Sequence, residues 1–65
     1  MTDTELSQAI RWYIGHYEKK ETSKSCFETF VCGHFHTYPR NARFIMQEME
    51  NIGLISVSKG IVRMK

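Results

Sequence analysis

Four side chains able to ligate zinc stand within eleven residues, as Cys26-x5-Cys32-x-His34-x-His36, and a small fold can use a metal staple. The spacing matches none of the usual paired-ligand patterns. A helix through Cys26 and Cys32 would set the thiols about 9 Å apart along its axis and on different faces. That gap is too wide for one ion, and for a disulfide, whose Cα atoms must lie within about 7 Å. The expectation is one semi-buried thiol, one exposed thiol and two turn histidines, with no metal. Cys–His nucleophilic catalysis also lacks an orienting carboxylate beside a cleft, and no Gly-rich phosphate loop occurs. Neither enzymatic activity nor a cofactor is expected.

A second set of groups points to recognition instead. Ala42, Ile45, Met46, Met49 and Ile52 recur at steps of three and four, the stripe of an amphipathic helix. At about 100° per residue, Arg40, Arg43, Phe44 and Gln47 fall on the opposite face, with Asn41 at its edge. Two guanidinium forks, a carboxamide and a ring can contact phosphates and base edges. Glu48 and Glu50 oppose that use, since carboxylates repel a phosphate backbone. An ordinary solvated helix face with one exposed Phe is the plainer alternative.

The elements that position this face follow from pattern and punctuation. Thr2-x-x-Glu5 has capping-box spacing, and Leu6, Ala9, Ile10, Tyr13, Ile14 and Tyr17 keep one stripe, so a first helix is expected over residues 2–17 with Trp12 at the core rim. Residues 18–24 are polar with alternating charge and read as a loop. Ser25-x-x-Glu28 is a second capping-box signature, predicting a short helix over residues 26–32 closed by Gly33. Thr37 is expected to cap the third helix, Pro39 to open it and Gly53 to follow its end. Beyond Gly53 the period changes to two. A Lys59-Gly60 connection pairs Ser58 with Ile61, Val57 with Val62, Ser56 with Arg63 and Ile55 with Met64, so Ile55, Val57, Val62 and Met64 share the inner face.

Composition sets the outer limits. The chain of 65 residues with 42% apolar content suits one small packed domain, residues 1–65, of the size that folds alone only marginally. No apolar run reaches the roughly 20 residues of a membrane span, and the N-terminus lacks a signal-peptide layout, so a cytoplasmic protein with no membrane partner is expected. The net charge is +2, but residues 1–38 hold four basic against five acidic side chains and residues 39–65 five against two. Positive charge thus collects in the half that holds the candidate reading helix.

Three helices and a terminal hairpin, with Met49-Glu50-Asn51-Ile52-Gly53-Leu54-Ile55 running towards Lys59-Gly60, resemble the winged helix-turn-helix family. There a recognition helix commonly ends in an apolar residue, Glu, two variable residues, Gly, Leu and Ile, before a Gly-tipped wing. The resemblance implies an α+β fold, a small three-helix winged helix-turn-helix with a C-terminal β-hairpin. It also implies double-stranded DNA as the partner, with Arg40, Arg43, Phe44 and Gln47 along the major groove and Asn41 at the edge. Lys59 and Arg63 would touch phosphates or the minor groove from the wing. The corresponding function is that of a transcriptional regulator or recombination accessory factor, acting as a homodimer or beside another protein because one copy makes few phosphate contacts. The alternative on the same fold is a protein-interaction module docking through Phe44 and the outer face of the third helix.

Overall fold

The computed structural model describes residues 2–65. Along the chain run α1 (Asp3–Tyr17), β1 (Glu21–Ser23), α2 (Lys24–His34), α3 (Pro39–Asn51), β2 (Ile55–Ser58) and β3 (Ile61–Met64). The three strands form one antiparallel sheet in the order β1-β3-β2. This is an α+β architecture of the winged-helix-like kind: three helices and a terminal hairpin, as the sequence leads one to expect.

The three helix starts have different causes. At α1 the Thr2 hydroxyl oxygen accepts from the Glu5 N–H at 3.2 Å and its O–H donates to Glu5 Oε1 at 3.3 Å. The second helix begins earlier than the Ser25 signature implies. Ser23 is its cap, accepting from the Cys26 N–H at 3.2 Å, because β1 ends there and the Lys24 N–H is held by the Gly60 carbonyl at 2.8 Å. Thr37 does not cap α3 either. Tyr38 occupies that position with no side-chain bond, Pro39 follows as the first helical residue, and the Thr37 hydroxyl instead accepts from the Asn41 amide at 2.8 Å.

Helix ends follow a shared device at two of the three termini. At α3 the Leu54 and Gly53 N–H groups return to the Met49 and Glu50 carbonyls, with Gly53 at φ 82°, which satisfies carbonyls the helix leaves open. Gly33 does not close α2. The helix runs on through His34, and His36 takes the left-handed conformation at φ 52° while the Thr37 N–H returns to the Cys32 carbonyl.

The segment expected as a loop before α2 contains β1, paired Glu21 to Arg63, Thr22 to Val62 and Ser23 to Ile61. The Met64 N–H extends that ladder to the Lys20 carbonyl at 2.7 Å. The hairpin has the register expected from its two-residue turn. Lys59 and Gly60 both have positive φ, the twist that joins right-handed strands.

One core of thirteen buried apolar residues unites these elements. Leu6, Ala9, Ile10 and Tyr13 come from α1, Phe27 and Val31 from α2, Ala42, Ile45, Met46 and Met49 from α3, and Ile55, Val62 and Met64 from the hairpin. Three stripe residues fall outside it: Ile14 packs partly buried against the core, and Tyr17 and Ile52, at the ends of α1 and α3, are 47% and 42% exposed. Trp12, expected at the rim, is 47% exposed. No described helix is long and apolar enough to cross a membrane.

Candidate functional site

The exposed face of α3 is fixed by what its other face buries. Ala42, Ile45, Met46 and Met49 are all under 5% exposed, which leaves the helix no rotational freedom about its axis. Arg40, Arg43, Phe44 and Gln47 therefore stand together in solvent, lining a shallow hollow of about 270 Å³. Phe44 is 64% exposed, against the strong tendency of Phe to be buried.

Charge on this helix runs against its own dipole. A helix N-terminus carries partial positive charge and favours acidic side chains, and its C-terminus favours basic ones, each by about 0.3–1 kcal/mol. The first turn of α3 contains Arg40 and no acid, and its last turn contains Glu50 and no base. The positive end of the dipole and Arg40 thus coincide, with Arg43 in the next turn, and no side chain caps the open N–H groups there. Such an end attracts anions. Tyr38, 63% exposed at the same end, adds a phenol of the kind that contacts phosphate.

Arg43 is partly engaged. Its Nε lies 3.5 Å from Glu28 Oε2 on α2, with the Arg side chain 62% exposed and the Glu 23%. At that distance and exposure the pair steers the guanidinium and contributes little stability. Its terminal nitrogens remain free to bond outward.

The other residues picked from the sequence separate from this group. Asn41 is half-buried, its amide turned back on Thr37, so it clasps the turn beside the surface. Lys59 sits at the hairpin tip at φ 52°, where a side chain other than Gly or Asn is strained. Arg63 lies on the outer sheet face, its Nε 3.1 Å from Glu21 Oε2 across the β1–β3 pair, both side chains more than half exposed. It is thus paired rather than gathered with the α3 residues.

Lys24 was not foreseen. Its backbone bond to Gly60 places it beside the wing tip, and its side chain lines a second hollow with Arg43, Gln47, Glu50 and Val57. This hollow connects the helix face to the hairpin, and Glu50 sets an anion against its two cations. The only sequence signal for Lys24 was its place in a charged run.

Cys26 is exposed and Cys32 half-buried on α2, both free. Among the described residues no group of three or more His, Cys, Asp or Glu is placed to hold a metal ion. No family model, curated protein or solved structure matches the chain.

Proposed function

We propose that this chain is a small, non-catalytic DNA-binding protein of the winged helix-turn-helix family, acting in the cytoplasm as a transcriptional regulator or recombination accessory factor. In this reading α3 enters the major groove, where Arg43 and Gln47 meet base edges and Arg40 meets phosphate or base. Lys59 at the hairpin tip and Lys24 beside it touch the flanking backbone. The observation that carries the reading is the reversed charge of α3: Arg40 stands exposed at the positive end of the dipole, and Arg43 follows on the same face in the next turn. That placement lowers helix stability and raises the attraction for an anion. Lys59 in a left-handed turn position supports it in the same way. With so few cations, one copy binds weakly, so a homodimer or a protein companion belongs to the reading.

One specific observation favours a second reading. Phe44 at 64% exposure, in a hollow shared with Arg40, Arg43 and Gln47, also suits a protein partner that buries an aromatic anchor. Titrating labelled protein with random-sequence duplex DNA at low and then moderate salt separates the two. Amide shifts at residues 40–47, 59–60 and 24 that fade with salt are expected for DNA binding. Their absence at low salt would leave the partner reading in its place.

A further inference from the structure

A hollow between α1 and α2 lies on the side of α2 turned away from α3 and takes no part in the surface above. It measures about 600 Å³, within the range of small-molecule sites. Its wall is aromatic. Trp12 and Phe30 lie nearly parallel, 15° apart with centroids separated by 5.6 Å. Stacked rings touch at about 3.5–4 Å, so these two are slid past one another and part of each face is uncovered. His16, stacked on Trp12 at 4.6 Å, and Tyr13, edge-on to Phe30, hold the two rings in place. The array is preorganised rather than loose, and Trp12 and Tyr17 remain 47% exposed around it.

Lys19 is the one Lys, Arg, Asp or Glu side chain that lines the hollow; Thr22, Cys26, Thr29 and His34 are its other non-aromatic polar residues, and the Thr29 hydroxyl donates to the Ser25 carbonyl. The backbone on either side of Lys19 is fixed: Glu18 caps α1 in a left-handed conformation, and the Lys20 carbonyl accepts from Met64. A flat apolar wall with one cation at the rim fits a flat apolar body carrying one negative charge.

We propose that this hollow binds a low-molecular-weight planar aromatic acid of one or two fused rings, its rings against Trp12 and Phe30 and its carboxylate at Lys19. The site is separate from the α3 face and does not depend on what that face binds. Its position across α2 from Glu28 puts the ligand one helix away from Arg43.

The test is an amide-resolved NMR titration of the whole chain with three probes: 2-naphthoate, neutral 2-naphthamide and non-planar cyclohexanecarboxylate. Saturable shifts at the Trp12 indole N–H and the Thr29 and Gly33 amides are expected with both naphthalene compounds, and none with cyclohexanecarboxylate. Naphthoate should bind about three-fold tighter than the amide, as an exposed ion pair allows, and Lys19→Gln should erase that difference. Thr29→Trp, at an exposed position on the wall, should fill the hollow and remove both. Trp12→Ala, read at Gly33, should weaken naphthoate at least ten-fold and serves where Thr29→Trp does not fold. No saturable shift with naphthoate, undiminished binding by Trp12→Ala, or shifts confined to residues 40–47 would overturn the proposal.

Discussion

α1 and α3 are of similar length and bury four residues each, yet their N-terminal ends are built on opposite rules. α1 has a threonine cap with Asp3 and Glu5 in its first turn, so the charges at its start agree with the dipole, whereas its C-cap is Glu18. α3 has a tyrosine at the cap position, arginine in the first turn and glutamate in the last. Both helices contribute equally to the core, so the difference lies wholly in what faces outward. A helix whose N-terminal end makes no proposed contact can optimise that end; one that, on the proposed reading, presents charge to DNA there cannot do both.

The equality inside comes first. Leu6→Ala in α1 and Met49→Ala in α3 should each destabilise the fold by about 2–5 kcal/mol, measured by urea unfolding; an inert Met49 would mean that α3 is not a core helix. Next, Arg43→Ala should cost about 1–3 kcal/mol of DNA affinity if it reads a base while its unfolding midpoint stays within error. The caps should then respond with opposite signs. Thr2→Ala should lose about 1 kcal/mol and Tyr38→Ser should gain a comparable amount, both read from thermal or urea melts. Arg40→Glu should add a few tenths of a kcal/mol to stability and weaken DNA binding, so a stability loss would break the contrast. The smallest effect belongs to the wing: Lys59→Asn should relieve left-handed strain, raising stability slightly, and lower affinity for all DNA sequences alike.

What could be read from the sequence divides by range. α1, the stripe of α3 and the hairpin register depend on residues a few positions apart, and periodicity and a two-residue turn expose all three. β1 depends on β3, some forty residues later in the chain, and Glu-Thr-Ser has no strand pattern of its own. The displaced cap of α2 has the same origin. Ser25 carries the local capping-box signature, and the long-range bond from Lys24 to Gly60 accompanies the cap at Ser23 instead. In the candidate site, the angular arithmetic of a helix suffices for Arg40, Arg43, Phe44 and Gln47. The ion pair of Arg43 with Glu28 and the place of Lys24 arise only when α2 packs against α3 and the wing, so no local signal carries them.

The sheet order has a consequence for how the fold assembles. β3 lies between β1 and β2 but follows both along the chain, so neither outer strand has a partner until the last strand exists. During synthesis the helices can form and touch early, but the ladder closes in one late step that joins distant parts of the chain. Long-range closure of this kind slows folding relative to a purely helical domain of the same size. The same closure brings Lys24 to the hairpin tip, so the proposed binding surface is completed together with the fold and does not precede it.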